Sequence, residues 1–278
     1  MELGTFGIWT SYRAIGEDGA REAAELVEEL GYSTFWLGGS PRLPRVRPLL
    51  EATTDIVVAT SIVNIWAYDP ASLAAEYAVL ERDFPGRLLV GLGVGHPEAT
   101  SDYAKPLSAM RAFLDGLDEA DPPLPRDRRC VAALAPRMLA LSAERSLGAI
   151  PYFVPVAHTG SARTLLGPGA LLAPEVACVV DGDSERARAA ARAYARIYLG
   201  MSNYAGNLLR HGFDEADIAD GGSDRLIDAV VPHGSAEELA AVARAHLGAG
   251  ADHVVLQVTG EPGIPRRGWT ALAEALFG

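Results

Sequence analysis

Three glycines spaced two apart, Gly91, Gly93 and Gly95, close the apolar run FPGRLLVGLGVGHP at residues 84–97, and His96 follows directly. Backbone without a Cβ can bend tightly or lie against a flat ligand, and it equally lets a neighbouring element pack close. The imidazole of His96 belongs to the side chain that titrates nearest neutrality, so it is a candidate acid. The Leu- and Val-rich residues before the glycines read as a buried parallel strand, which puts this chemistry at a strand's C-terminal end. A dinucleotide fingerprint does not fit. Counted from Gly93, G-x-G-x-x-G would need glycine where Glu98 stands, and Pro97 interrupts the helix start.

A second candidate cluster is cationic. Residues 41–48, PRLPRVRP, carry Arg42, Arg45 and Arg47 in a chain whose formal charge is -12 and whose pI is about 4.9. That balance argues against nucleic acid or an anionic membrane as a partner, since both need a basic footprint. An anionic small molecule would need a local group of arginines, which suit bidentate capture of carboxylates better than lysines. Cys130 and Cys178 each sit inside an apolar run and read as buried small hydrophobes. His211, His233, His246 and His253 share no ligand spacing, so no metal site is expected. With no signal-like N-terminus and no apolar stretch long enough to cross a bilayer, the expected location is the cytoplasm.

The elements that must position these groups alternate regularly. Strands are expected at residues 3–9, 34–37, 55–63, within the glycine-bearing run 84–97, and at 129–134, 149–156, 175–180 and 253–258. Between them lie helices near 19–30, 71–84, 106–120, 137–147, 161–166 and 235–247, and 269–277 closes the chain as a helix. DGDSERARAA reads as an N-cap opening a long helix, and residues 200–232 read as extra helices with Asn203, Asp214 and Asp224 as caps. Eight strands alternating with helices, with no linker or composition break, predict one (β/α)8 barrel domain over residues 1–278. In such a barrel the chemistry sits at the strand C-termini, where Trp9, Gly38, Ser61, Asn64, the glycines and residues 135–137 all fall. Trp9 and Trp66 would wall an apolar pocket, while Phe35 and Trp36 would alternate between the barrel interior and the helix layer.

FGIWT, VVATSIVNIWAYDPASLAAEYAVLERDFPGRLLVGLGVGHP, AALAPRMLALSAE and GADHVVLQV resemble the luciferase-like flavin and deazaflavin oxidoreductases, in particular their coenzyme F420-dependent branch. The resemblance implies a luciferase-like TIM barrel, a homodimer, and coenzyme F420 or alternatively FMN as cofactor. It implies a non-prolyl cis peptide between Ser61 and Ile62, against the back of the tricyclic ring, with Trp9, Gly38 and Asn64 at neighbouring strand ends. Backbone at Gly93, Val94 and Gly95 would line the ring. Ala133, Leu134, Ala135, Pro136 and Arg137, at a helix start, would receive the phosphate. The arginines of residues 41–48 would receive the coenzyme's anionic tail, with Arg266 and Arg267 as a second candidate. Relatives often place an acid or histidine at the end of the second strand, where this chain reads Gly38-Gly39-Ser40, and His96 is the expected replacement. Three functions are implied: hydride transfer between the deazaflavin and a small apolar organic substrate, an FMN-dependent monooxygenase, and a barrel that binds a flavin without catalysis.

Overall fold

The computed structural model describes residues 1–98 and 103–278, so part of the polar loop expected after Pro97 lies outside the described residues. Eight parallel strands form the barrel, numbered in chain order. They are β1 (Phe6–Ser11), β2 (Thr34–Gly38), β3 (Val57–Ser61), β4 (Leu88–Gly93), β5 (Arg129–Val131), β6 (Gly148–Ala149), β7 (Leu171–Leu172 and Glu175–Val180) and β8 (Val254–Val258). Each pairs in parallel with its sequence neighbours, and β8 pairs with β1. Closure runs through β7, which Ala173-Pro174 interrupts. Ala173 N–H still donates to Ala149 and Glu175 N–H to Pro151, while Val255 N–H donates to Pro174 from the other side. The short pair Val63–Asn64 adds to β4 just beyond the end of β3.

Period-two alternation sorts the side chains. Trp36, Ala59, Leu89, Cys130, Ile150, Ala173 and Val255 meet in the barrel interior with Trp9 at its upper edge. Ile8, Phe35, Leu37, Val58, Val90 and Leu256 face outward and are covered by the helices Ala20–Glu29, Arg47–Ala52, Pro70–Asp83 and Arg266–Phe277. Trp36 therefore faces inward and Phe35 outward, as expected. At the base of the interior Trp36 Nε1–H donates to Thr34 Oγ1 at 2.8 Å, and the same hydroxyl bonds His253 Nε2 at 2.9 Å. Burial holds His253 down at about 4, so it is a neutral structural ring.

The expected sixth strand, residues 149–156, is cut short. Pro151 and Pro155 have no N–H for a ladder; only Tyr152 makes an isolated bridge, to Glu175, and Val156 already opens the helix Val156–Leu166. The first part of β7, hidden behind the turn residues GPG, was not expected at all. Glu175–Val180 and the helix Ser184–Leu199, capped by Asp183, fall where the sequence places them. Beyond that helix the extra segment holds Ser202–Arg210, Glu215–Ile218 and Asp224–Val230. Asp214 caps as expected, in a reciprocal pair with Asp217. Ser223 rather than Asp224 is the next cap, and Asn203 caps nothing because it lies inside its helix with its amide turned to a histidine.

Candidate active site

At the C-terminal end of the barrel the strand ends enclose a cavity of about 500 Å³, within the range of small-molecule and cofactor pockets. Ser61 and Ile62 form one side of it, joined by a cis peptide bond as the resemblance implies. Gly93, Val94 and Gly95 continue the wall, and Ala133, Leu134 and Ala135 carry it on past the neighbouring strand β5. The glycines divide their work. A Cβ on Gly91 would stand 2.0 Å from the Thr60 carbonyl, so Gly91 serves strand packing, held by Thr60 Oγ1 at 2.9 Å from its N–H. Gly93 meets Ile62 on one side, where a Cβ would approach Cγ1 to 2.7 Å, and opens its other side to the cavity.

The cavity has one carboxyl group among the described residues, and sequence reasoning missed it. Glu175 begins the second part of β7 with 7% of its surface exposed, and its Oε2 accepts from Ser61 Oγ at 3.2 Å. No cation pairs with it among the described residues. Burial pushes its carboxyl up to about 8, against the opposing Ser61 hydrogen bond, so Glu175 holds a proton at neutral pH. Tyr152, Tyr198 and Tyr204 line the cavity too: the rings of Tyr152 and Tyr204 stand 5.9 Å apart edge to face, Tyr152 OH bonds the OH of Tyr194 behind it, and Tyr194 OH donates to Gln257 Oε1 at 2.8 Å. Burial, with the neighbouring phenols and Glu175, drives the Tyr152 phenol far above its ordinary range. The signals available in the sequence were Tyr194 and Tyr198 four apart on one helix, and a glutamate in an inward-facing register position with Ala173.

His96 does line the cavity, with Nδ1 3.2 Å from Asn203 Oδ1 and its ring 5.1 Å from Tyr204. Burial lowers its pKa below the ordinary imidazole value, opposed by the Asn203 hydrogen bond and the Glu98 charge. Burial thus favours the uncharged imidazole, whose free nitrogen can accept a hydrogen bond or a proton.

Four other expected residues lie elsewhere. Gly38 is covered by the Trp9 indole, which a Cβ would strike at 1.9 Å, and it lines a second cavity instead. Trp9 lines both cavities, and its Nε1–H donates to Ser61 O at 3.3 Å, so the indole is pinned across the cis bond. Asn64 turns away to cap the turn Ile65–Ala67, accepting from Trp66 N–H at 3.1 Å. Pro136 and Arg137 open the helix Pro136–Arg145 but do not line the cavity; Arg137 is exposed, while Met138 and Arg210 line it in their place. Behind this corner His158 Nε2–H donates to Leu134 O at 3.1 Å, and burial keeps that ring at about 4 and neutral. Trp66 donates from Nε1 to Val94 O at 2.8 Å, which fixes the glycine loop from outside.

The second cavity, about 840 Å³, opens at the ends of β8, β1 and β2. Arg13, Arg42 and Arg45 stand on it, over Trp9, Tyr194, Tyr198 and Gln257. Arg47 does not join them, because it pairs with Asp83 at 2.6 Å and lies over Phe84. Arg266, the other expected basic candidate, is engaged with Glu22. Both cysteines are buried and free, and no group of three or more His, Cys, Asp or Glu that could hold a metal occurs among the described residues. Among the described residues, no helix is long and apolar enough to cross a membrane.

A known family model covers the N-terminal part of this architecture. Residues 1–120 match the luciferase-like monooxygenase family model. That span contains the most specific stretch of the resemblance, from β3 through the glycines; AALAPRMLALSAE and GADHVVLQV lie beyond it. Solved structures of similar fold extend over the whole chain. An F420-dependent secondary alcohol dehydrogenase in complex with an F420-acetone adduct has 17% identity and a TM-score of 0.76, covering 99% of this chain and 98% of that one. The coenzyme F420-dependent tetrahydromethanopterin reductase from Methanopyrus kandleri has 16% identity and a TM-score of 0.78, covering 100% and 99%. The oxygenating constituent of 3,6-diketocamphane monooxygenase from Pseudomonas putida, in complex with FMN, has 14% identity and a TM-score of 0.68 over 98% and 96%. At these identities the likeness is one of fold. No curated protein matches the sequence significantly.

Proposed function

We propose that this chain is an oxidoreductase that holds coenzyme F420 in the 500 Å³ cavity and moves a hydride between the deazaflavin and a small organic substrate. One observation carries the reading: a cavity walled by Ser61-Ile62 on one side and by side-chain-free backbone at Gly93 and Gly95 on another, shaped for a flat ring. The residues present fit the group. Gly93 seats the Ile62 side chain against its Cα and lines the cavity with backbone, and Arg210 lines the same cavity as Ala133–Ala135 before the helix Pro136–Arg145, where a phosphate would meet free backbone N–H groups. When bound, the deazaflavin supplies two-electron hydride chemistry. The chain's own residues do the rest. Ser61 and Ile62 back the ring and leave one face open, which fixes the face of transfer. Trp9 and the tyrosines exclude water, Glu175 holds a proton, and neutral His96 accepts at its free nitrogen.

The F420-dependent proteins of similar fold support this reading, and the whole of residues 1–278 acts in it as one barrel domain. FMN fits the same wall, and the family description and the FMN complex of similar fold favour it as the second reading. The test is titration of the purified protein with coenzyme F420 and with FMN, followed by tryptophan quenching and by the cofactor's visible spectrum. Tight binding of F420 with weak binding of FMN is expected. Preference for FMN selects the monooxygenase, and binding of neither refutes both.

A further inference from the structure

We propose that the second cavity seats the organic substrate, and that this substrate carries a carboxylate on an apolar or aromatic body. The inference rests on the reading above for the word substrate, while the anion site itself stands on the cavity alone.

The two cavities share Trp9, Gly39, Ser40 and Tyr198 and diverge from there. The larger part of the first spans the ends of β3 to β7, with its N–H-bearing corner at Ala133–Ala135 and Arg210 beyond β5. The second lies at β8, β1 and β2. In a ring of eight strands, β1 and β5 stand on opposite sides. A ring whose phosphate reached the β5 corner would therefore send its tail away from Arg13, Arg42 and Arg45. These arginines need another anion, and the shared wall is the place where a molecule in the second cavity approaches the first.

The charge is local and preorganised. The chain carries -12 overall, which repels anions at long range, yet three arginines line this cavity, and among the described residues one carboxylate, Glu17, pairs with them, at 2.6 Å from Arg45. Arg45 lies 4.5 Å over the Tyr12 ring and Arg42 4.1 Å over Tyr68, and Arg42 Nη1–H donates to Ala67 O at 2.7 Å. Two of the three heads are thus held in place before a ligand arrives, with N–H groups left over, since each guanidinium has five. Planar forks of this kind match a carboxylate. The floor is of the opposite character: the Trp9 indole, the edges of Tyr194 and Tyr198, and backbone at Gly38 and Gly39. A body that is flat or apolar lies there with its anionic end at the arginines.

The experiment compares phenylacetate with its neutral isostere phenylacetamide by isothermal titration of the protein without cofactor, at about 20 and about 300 mM NaCl, spanning strong and weak screening. Expected is at least about tenfold tighter binding of the carboxylate at low salt, or 1.4 kcal/mol, shrinking at high salt. Arg13→Gln with Arg45→Gln abolishes the preference, and coenzyme F420 binds the variant within about twofold of wild type. Arg13→Gln alone, at an exposed side chain, repeats the test in smaller measure if the double variant is unfolded by circular dichroism. Equal affinity for acid and amide, no binding of either, or a preference that survives the variant overturns the proposal. So does a variant that loses coenzyme binding by more than about tenfold, which assigns the arginines to the coenzyme tail. Wild type that prefers the carboxylate but binds no flavin refutes the proposed function and leaves the anion site standing.

Discussion

Replacing Glu175 by Gln tests whether a proton is stored in the cavity. The amide has the same shape and can still accept from Ser61 Oγ, but it cannot ionise. In the unfolded chain a glutamate releases its proton near its ordinary value of 4.5, whereas burial holds the folded carboxyl at about 8. Between those values the folded state binds more protons than the unfolded one, so stability falls as pH rises through the window and levels off above it. At about 1.36 kcal/mol per pH unit, the penalty reaches roughly 3 kcal/mol at pH 7 and roughly 5 kcal/mol above pH 8. Water entering the cavity solvates the carboxylate and makes these figures upper bounds. Urea denaturation of wild type and Glu175→Gln at pH 5, 7 and 9 isolates the effect, because every other titrating group is common to both. Wild type should lose ground against the variant by about 2 kcal/mol or more from pH 5 to pH 9. Parallel pH profiles would mean that Glu175 is an ordinary ionised carboxylate, and the proton store would be gone.

Two further outcomes follow from the barrel wall. Asp118 receives Arg129, Arg145 and Arg126, and although its burial acts the other way, those hydrogen bonds hold its carboxyl down at about 2. Because the Arg129 side chain is 0% exposed, Asp118→Asn leaves a buried charge unanswered and should cost about 3 kcal/mol at pH 7 in urea denaturation. The wild-type advantage is full above 3.8 and fades as pH falls through about 2, so a difference that stays constant down to pH 2 would refute the pairing. Gly91→Ala drives a methyl against the Thr60 carbonyl and should lower the urea midpoint by an amount worth about 3 kcal/mol; a neutral result would show that β3 and β4 can part without cost.

Much of the fold was legible because burial imposes a simple pattern. EVACVV at Glu175–Val180 and LLVGLG at Leu88–Gly93 could only be strands buried on both faces. The sixth strand was not legible in length, since its pairing is decided by where Pro151 and Pro155 withhold donors, and that depends on neighbours far along the chain. At the site, local backbone chemistry could be read: Gly93 and Gly95 do line the cavity, and so does His96. Three-dimensional convergence could not. Glu175 looked like the first residue of a strand, and its role depends on Ser61 lying across the barrel, 114 positions away in sequence. Gly38 was misplaced for the same reason, because nothing near it in sequence announces that the Trp9 indole lies on it. The protonation of His96 turned on burial beside Asn203 and Tyr204, both from the extra segment.

The sharing of Trp9, Gly39, Ser40 and Tyr198 between the two cavities makes the barrel mouth modular. Strand ends β3 to β7 form one sector and β8, β1 and β2 the other, with four residues as the hinge between their tasks. Variation in the loops after β1 and β2 can therefore retune what enters the second sector while the ring-shaped sector keeps its walls. The same loops could be exchanged by design, provided that those four residues stay. Change at Trp9 would be felt in both sectors at once, through the indole that spans Gly38 and Ser61.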